Sequence, residues 1–237
     1  MITEAAALPP KAPELRRAAA LRQQIVAGDV TKYNLPGSAP KPLPDNGFLL
    51  VAGQVEDDAS IRLGCPGLRR NAELLAAARA AHPEAYLVYK PHPDVEAGLR
   101  PGAIPAAEAD LVAAGASTPD LLRRASRVWT LTSLLGFEAL LRGVPVTCLG
   151  QPFYAGWGLT EDAHPVARRQ ARPSLDALVW AALIAYPRYL DPKTGLPCPP
   201  EVLVSRFEEG LSPEPLWRRR LARAQGWWAG RGLAFWR

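Results

Sequence analysis

Short apolar runs of strand length alternate with segments of helical composition, and this alternation constrains the fold more than any other feature of the chain. FLLVAGQ (48–54), a helix around NAELLAAARAAH (71–82) and AYLVYKPH (85–92) follow one another in strand, helix, strand order. The order continues with the helix DLLRRAS, the strand RVWTLT (127–132), the helix SLLGFEALLRG (133–143) and the strand VPVTCLG (144–150). Strands that alternate with helices predict a parallel sheet wrapped by helices. The predicted fold class is therefore α/β, with a Rossmann-like parallel sheet.

The segments on either side of this alternation differ from it in composition. Residues 13–28 have helical composition, and the turn formers in TKYNLPGSAPKPLPDNG predict a linker near residues 34 to 47. Beyond the last strand, SLDALVWAALIAYPRYL and PEPLWRRRLARAQGWW are typical of helices separated by proline-rich turns. The sequence thus predicts an N-terminal helix and linker (1–46), a Rossmann-like lobe (47–192) and a helical, basic and aromatic C-terminal tail (193–237).

Composition limits the class of protein. A chain of 237 residues with 48% hydrophobic content is long enough to bury a core. It has neither a run of about 18 apolar residues nor a signal-like start, so we expect a cytoplasmic protein. Cys65, Cys148 and Cys198 are odd in number and widely spaced, which indicates neither a disulfide framework nor a zinc cluster. The net charge of +5 leaves an anionic substrate, an anionic membrane surface and a nucleic acid open as partners.

Polar residues follow three of the predicted strands. Ligands of open parallel sheets bind beyond the carboxyl ends of the strands, so these residues form a candidate site. Gln54 to Ser60 come after FLLVAG, Lys90 to Asp94 come after AYLVY, and Thr132 and Ser133 come after RVWTL.

Ser133 lies where a strand gives way to a helix. Free backbone amides and the helix dipole favour an anion such as phosphate at that place, although Ser133 is equally suited to capping the helix. Lys90 and His92 at the neighbouring strand end are placed to supply positive charge to the same phosphate.

Two sets of carboxylates have alternative roles. Glu138 lies in the apolar stretch LLGFEALL, where it needs a partner, either an arginine in a salt bridge or the ribose hydroxyls of a nucleotide. Glu56, Asp57 and Asp58 are candidates for a base or nucleophile at a sugar carbon, or for a solvated acidic turn. Because neither a GxGxxG fingerprint nor a GxxxxGK[ST] loop is present, a nucleotide sugar remains the plausible nucleotide ligand.

Four blocks of the sequence resemble a known family. GQVEDDASI (53–61), YKPHPDVEAG (89–98), TSLLGFEALLRGVPV (132–146) and GQPFYAGWGLTED (150–162) are similar to the capsular polysaccharide β-Kdo transferases. The resemblance implies the nucleotide-binding lobe of a GT-B-like glycosyltransferase. It also implies a CMP-Kdo donor, a phosphatidylglycerol-linked Kdo acceptor and retention of configuration.

The resemblance also implies roles for individual residues. Asp58 would be the catalytic nucleophile, and Glu138 would bind the ribose. The remaining matches would bind other parts of the substrate: His92, Thr132 and Ser133 the CMP phosphate, Lys90 the phosphate or the Kdo carboxylate, and Gln54 the substrate more generally. No metal is expected, since the only close acidic run is already assigned.

Two further features leave alternatives open. GT-B enzymes have two lobes, whereas about 46 residues precede the first predicted strand, so the acceptor lobe is expected to be missing or supplied by a partner chain. A non-catalytic CMP-sugar-binding module or a subunit of a split transferase is the alternative. Phe153, Tyr154 and Trp157 suit either a wall of the site or core packing.

The tail 217–237, in which arginines are interleaved with tryptophans, is the last open question. A helix over residues 213–228 would suit either packing against the lobe or contact with an anionic inner-membrane surface. A nucleic-acid arm is the rival interpretation. The family resemblance argues against nucleic acid, because an anionic donor and a membrane-bound acceptor already account for the basic charge.

Overall fold

The computed structural model describes residues 1–32, 43–44, 47–105 and 108–210. Most of the predicted linker near residues 34 to 47 and the whole of the predicted tail helix at 213–228 lie outside these residues.

A six-stranded sheet forms the centre of the described chain. In chain order its strands are β1 (Phe48–Ala52), β2 (Leu87–Lys90), β3 (Leu111–Val112), β4 (Ala125–Thr130), β5 (Val146–Cys148) and β6 (Glu161–Asp162). They lie side by side in the order β3-β2-β1-β4-β5-β6, and every neighbouring pair is parallel. This arrangement confirms the predicted α/β fold with a Rossmann-like parallel sheet.

Helices connect the strands and flank the sheet. They are α1 (Ile2–Ala6), α2 (Pro13–Ala27), α3 (Ala59–Gly64), α4 (Asn71–Ala81), α5 (Pro93–Glu96), α6 (Thr118–Arg124), α7 (Leu134–Leu141), α8 (Leu175–Val179) and α9 (Pro200–Glu208). A π-helical segment, Trp180–Ala185, continues α8, and an antiparallel ribbon of β7 (Tyr189–Leu190) and β8 (Pro197–Cys198) precedes α9. The longest of these helices has 15 residues, and none in the described part of the chain is long and apolar enough to cross a membrane.

The sheet is buried on both faces, which explains why FLLVA in β1 is apolar throughout rather than alternating. Side chains of alternate residues face opposite layers, so Leu50 joins one core cluster and Val51 joins the other. Phe137 of α7 packs in the first cluster, and Leu74 of α4 packs in the second.

The helices before and after the sheet pack together on one of its faces. Leu21 of α2 belongs to the same core cluster as the sheet residues. At the surface, Arg22 of α2 pairs with Asp176 at 2.9 Å, and Arg17 pairs with Glu201 of α9 at 2.7 Å. The N-terminal helix therefore contributes to the core of the lobe, while the boundaries at residues 46 and 192 stay predictions.

The structure differs from the sequence-based expectation at five strands. Strands β3, β6, β7 and β8 were not predicted, because each has only two residues and too few positions for a periodic pattern. Strand β4 runs from Ala125 to Thr130 rather than from 127 to 132. Thr132 and Ser133 therefore lie beyond the end of the strand, where they are available to a site.

Candidate functional site

The strand order reverses direction between β1 and β4. From β1 the chain builds outward to β2 and β3 on one side, and from β4 it builds outward to β5 and β6 on the other. The connections that leave the carboxyl ends of β1 and β4 therefore run to opposite sides of the sheet, and ligands of open α/β sheets bind beyond such a switch point. Gln54 follows β1 and Thr132 follows β4, so both lie at this switch point.

Gln54 joins the two strand ends directly. Its side-chain Nε2 donates to Thr132 Oγ1 at 2.9 Å, and its Oε1 accepts from the Thr132 backbone amide at 2.8 Å. The main chain of Gln54 is held by Asn71, whose Oδ1 accepts from the Gln54 amide at 3.0 Å and whose Nδ2 donates to the Gln54 carbonyl at 2.8 Å. The structure thus brings Gln54 and Thr132 together, and direct binding of substrate by either side chain stays a prediction.

Ser133 begins α7 at the same edge. Its Oγ accepts from the Leu135 amide at 3.3 Å, and its own amide donates to Thr130 Oγ1 at 3.0 Å. Ser133 therefore is a helix cap, one of its two expected roles. The amino end of α7 lies at the switch point, so capping does not conflict with binding of an anion there.

The three acidic residues after β1 have three different environments. Glu56 accepts from the backbone amide of Asn71 at 2.7 Å, and Asp57 pairs with Arg100 at 2.7 Å. Asp58 is exposed and caps α3, accepting from the Ser60 amide at 2.8 Å. Hydrogen bonds from the Ser60 hydroxyl and amide hold the pKa of Asp58 below its usual range. Asp58 is consequently an ionised carboxylate at neutral pH, as a nucleophile requires.

His92 and Lys90 lie at the end of β2. Nδ1 of His92 accepts from the Asp94 amide at 3.1 Å, so the neutral imidazole carries its proton on Nε2. Burial lowers the pKa of His92, which keeps the ring neutral at pH 7. Lys90 donates through Nζ to the carbonyl of Ala116 at 2.8 Å, and burial lowers its pKa as well.

Glu138 is 7% exposed. Its Oε1 accepts from the backbone amide of Lys32 at 2.7 Å, whereas Arg142 donates to the carbonyl oxygen of Glu138 at 3.2 Å. Burial raises the pKa of Glu138, against the charges of Arg142, Lys32 and Lys90, which act to lower it. The carboxylate partner in this structure is therefore a backbone amide, and binding of ribose by Glu138 stays a prediction.

The aromatic residues of PFYAGWG pack mainly as core. Tyr154 is fully buried, and its hydroxyl donates to the carbonyl of Ser133. Trp157 is buried, with its indole N–H donating to the Phe153 carbonyl at 2.8 Å. Phe153 is 39% exposed and packs on Phe137 with ring centroids 5.1 Å apart. Of the two expected roles, core packing therefore describes Tyr154 and Trp157.

Comparison with known proteins identifies the family. The model of the family described as capsule polysaccharide biosynthesis protein matches residues 11–189, which include every predicted site residue. The chain belongs to this family. The capsule polysaccharide modification protein LipA of Neisseria meningitidis serogroup A is 47% identical over 186 residues, which are 76% of this chain and 26% of LipA. The lipopolysaccharide-processing protein LpsZ of Rhizobium meliloti is 44% identical over 182 residues, covering 74% of this chain and 41% of LpsZ.

Solved structures extend the family relationship to the fold. The beta Kdo 2,7 transferase of KpsC from Thermosulfurimonas dismutans matches with a TM-score of 0.72 and 37% identity, over 88% of this chain and 64% of that one. The beta Kdo 2,4 transferase of the same KpsC matches with a TM-score of 0.75 and 33% identity, over 84% and 64% of the two chains. The resemblance drawn from the sequence blocks is confirmed. The chain spans about a quarter of the length of LipA.

The sequence analysis missed one residue near the candidate site, Lys32. Its charge lowers the pKa of Asp58 and of His92, in the same direction as the larger effects of hydrogen bonding and burial on them, and it opposes the rise that burial causes in the pKa of Glu138. Lys32 therefore lies near enough to all three residues for its charge to affect their pKa values, and its backbone amide contacts Glu138. Lys32 lies within residues 11–189, which the family model matches, but the sequence analysis placed it among the turn formers before the linker.

Within residues 1–32, 43–44, 47–105 and 108–210, no three His, Cys, Asp or Glu side chains lie close enough together to hold a metal ion. The expected independence from metal stays a prediction, which an assay in the presence of EDTA would check.

The burial of Glu138 predicts a pH-dependent stability. Because its pKa in the folded chain is raised above the ordinary 4.5, the folded chain keeps a proton that the unfolded chain has lost. Its contribution to the free energy of unfolding is full below about pH 4.5 and is lost as pH rises through the folded pKa. Glu138→Gln keeps an acceptor for the Lys32 amide but cannot ionise. Urea unfolding from about pH 5 to 8 should show the variant gaining stability relative to the natural chain, and identical slopes in both chains would contradict this.

Proposed function

We propose that this chain is the nucleotide-sugar-binding half of a retaining β-Kdo transferase, which transfers Kdo from CMP-Kdo to a phosphatidylglycerol-linked Kdo acceptor. The observation that carries the proposal is the 3.2 Å contact between Thr132 Oγ1 and Ser60 Oγ, which brings the loop of the ionised Asp58 to the amino end of α7 at the switch point of the sheet. His92 lies near enough for the charge of Asp58 to affect its pKa. The similarity to KpsC of Thermosulfurimonas dismutans, named as a beta Kdo transferase, supports the same donor.

The CMP phosphate is proposed to bind at the amino end of α7. Backbone amides and the helix dipole favour an anion there, and Ser133 adds a hydroxyl. His92 is oriented to donate through Nε2, since its Nδ1 is already an acceptor. Lys32 and Lys90 supply positive charge, and Glu138 is proposed to bind the ribose. Holding the phosphate charge makes CMP a better leaving group.

Asp58 is proposed to attack the anomeric carbon of Kdo. A bond forms between a carboxylate oxygen and that carbon, while the bond from the carbon to the phosphate oxygen breaks and CMP leaves with the electron pair. The acceptor hydroxyl then displaces Asp58, loses its proton to solvent or a base, and leaves the carboxylate free again. Two displacements at the same carbon retain its configuration.

The acceptor is proposed to bind outside the described chain. LipA is about four times as long as the matched segment, and a GT-B-like enzyme binds its acceptor on a second lobe. We propose that this lobe is supplied by further sequence or by a partner chain, at the cytoplasmic surface of the inner membrane. Contact of the tail at 213–237 with anionic lipid stays a prediction, which vesicle co-sedimentation with and without the tail would check.

CMP and CMP-Kdo should raise the melting temperature of the chain, whereas UDP-sugars and NAD should not. Binding to the folded state alone stabilises it by about 2.7 kcal/mol at a ligand concentration 100 times the dissociation constant. For a domain of this size that corresponds to a rise of roughly 5 to 10 °C. Differential scanning fluorimetry with each ligand tests the donor, and equal rises with CMP and UDP would remove the CMP assignment.

Variants of the proposed phosphate site test which residues bind CMP. Ser133→Ala and His92→Ala should each weaken CMP binding by roughly 1 to 3 kcal/mol, or about 5- to 150-fold, if they donate charge-assisted hydrogen bonds. Unchanged affinity in both variants would reduce these residues to helix caps. CMP binding without transfer, even with the acceptor lobe supplied, would instead favour the non-catalytic CMP-sugar-binding module.

A further inference from the structure

A continuous series of hydrogen bonds runs from the interior of the lobe to Asp58. It begins at Asn71, the fully buried first residue of α4, and passes to Gln54, which is 6% exposed. Gln54 bonds twice to Thr132, and Thr132 Oγ1 lies 3.2 Å from Ser60 Oγ. The backbone amide of Ser60 in turn donates to the Asp58 carboxylate at 2.8 Å, and the Ser60 side chain contributes to the lowered pKa of Asp58.

At the buried end of this series, every donor and acceptor of the Asn71 side-chain amide makes a hydrogen bond. Both hydrogens of Asn71 Nδ2 are donated, one to the carbonyl of Gln54 and one to the carbonyl of Gly102, each at 2.8 Å. Asn71 Oδ1 accepts from the Gln54 amide. Unpaired amide groups are costly in a buried site, so these bonds anchor the position of Gln54 at the end of β1.

The groups at the two ends of the series favour one direction for its bonds. The backbone amide of Thr132 can only donate, so Gln54 must present Oε1 to it and Nε2 to the Thr132 hydroxyl. Thr132 Oγ1 donates to Ser60 Oγ at 3.2 Å, which leaves the Ser60 hydroxyl proton for the ionised Asp58 carboxylate, a group that can only accept. Each hydroxyl therefore accepts one hydrogen bond and donates one, and the series ends on the carboxylate.

We propose that Asn71, Gln54, Thr132 and Ser60 form a hydrogen-bond relay that positions the Asp58 carboxylate and stabilises its ionised form. This inference rests on the proposed function, in which Asp58 is the nucleophile. It makes Gln54 and Thr132 positioning residues, because the Gln54 amide bonds to Thr132 and the Thr132 hydroxyl bonds to Gln54 and Ser60. Ser60 is added to the site as the residue that contacts the nucleophile directly.

The relay acts differently on the two displacements. Hydrogen bonds to a carboxylate lower its basicity, so they weaken Asp58 slightly as a nucleophile and improve it as a leaving group. The second displacement, in which Asp58 leaves, is therefore the step that the relay accelerates. Loss of the Ser60 hydroxyl should let the covalent Kdo adduct of Asp58 accumulate relative to the natural chain.

Other charges also face Asp58. Arg100 and Lys32 both lower its pKa, more weakly than Ser60 does, and His92 is near enough to be affected by the Asp58 charge. None of these residues belongs to the relay. Variants of Ser60 and Thr132 that leave them in place therefore test the relay alone.

The primary test is an NMR titration of the Asp58 side-chain carboxyl carbon in the full 237-residue chain, which needs no activity. Ser60→Ala and Thr132→Val should raise the titration midpoint of Asp58 by about half to one pH unit, because donors to the carboxylate are lost or reoriented. Ser60→Thr and Thr132→Ser retain the hydroxyls and should leave the midpoint close to that of the natural chain. An unchanged midpoint in Ser60→Ala, with the chain folded, would overturn the relay.

A second measurement separates the relay from the proposed function. With the acceptor lobe supplied, intact mass after addition of CMP-Kdo should show more Kdo adduct in Ser60→Ala than in Ser60→Thr, at equal CMP affinity. If Asp58→Asn keeps full turnover, the proposed nucleophile fails. If Asp58→Asn is inactive while Ser60→Ala matches the natural chain in both midpoint and adduct, only the relay fails.

Discussion

Asp58→Asn should lower transfer of Kdo from CMP-Kdo by a factor of at least about 10³, while CMP affinity stays nearly unchanged. The amide cannot form the covalent bond to the anomeric carbon that the carboxylate forms. Asparagine caps a helix as well as aspartate does, so the amide of Ser60 keeps its acceptor and α3 keeps its start. The substitution therefore removes the charge and little else. Release of CMP and formation of the Kdo-linked product should both be measured, with the acceptor lobe restored in cis or added as a separate chain.

Asp57→Asn is the matched control. Asp57 differs from Asp58 in having an exposed ion pair with Arg100 as its main contact, and such surface pairs are worth about 0 to 1 kcal/mol. We expect this variant to retain transfer within a few-fold of the natural chain. Full activity in Asp58→Asn together with loss of activity in Asp57→Asn would move the nucleophile to Asp57. Loss of CMP binding in Asp58→Asn would show that the residue shapes the donor site and would remove the basis for a purely catalytic role.

Gly136→Ala should destabilise the chain by about 2 kcal/mol. Gly136 lies in α7, and a Cβ there would collide with the hydroxyl of Tyr154 and approach its ring carbon Cζ to 2.9 Å. Tyr154 is fully buried and donates to the carbonyl of Ser133, so it has no open space into which to move. The better helix propensity of alanine, worth about 1 kcal/mol over glycine, offsets only part of this cost. Urea unfolding followed by circular dichroism measures the change.

Tyr154→Phe is the control variant that tests whether the Tyr154 hydroxyl causes the collision with a Cβ at position 136. Removing the hydroxyl loses its bond to Ser133, at a cost of about 1 kcal/mol, but it also removes the atom that the new Cβ meets first. The double variant should therefore be more stable than the sum of the two single changes implies. Strict additivity of the two effects would show that the contact between Gly136 and Tyr154 does not limit the packing of α7.

Much of the site could be located from local sequence alone. The polar residues Asp58, His92 and Ser133 each follow an apolar strand, and parallel strands bring their carboxyl ends to one edge whatever their order. Each of these three residues also caps a short helix, which is a local property of the residue and its backbone. The sequence pattern therefore identified the residues at the edge, but it could not separate a capping role from a binding role.

The partners of these residues could not be predicted in the same way. Glu138 was expected to meet an arginine or a ribose, yet its carboxylate accepts from the amide of Lys32, 106 residues away in the chain. Gln54 was grouped with the substrate-binding residues, yet both ends of its amide bond to Thr132 across 78 residues. Contacts at such separations depend on which strands become neighbours in the sheet, and the apolar periodicity of the sequence does not predict the strand order.

The sequence by itself determined the α/β class, the main strands and helices, and the edge at which the site forms, because these follow from apolar periodicity and turn chemistry within short windows. Only the tertiary structure decided that β1 lies beside β4, and with it the relay from Asn71 to Asp58 and the contact of the Lys32 amide with Glu138. Two-residue strands such as β3 and β6 were also decided there, since their hydrogen bonds come entirely from their neighbours. Local patterns record what each segment buries, whereas the pairing of buried polar groups is settled only when distant segments meet.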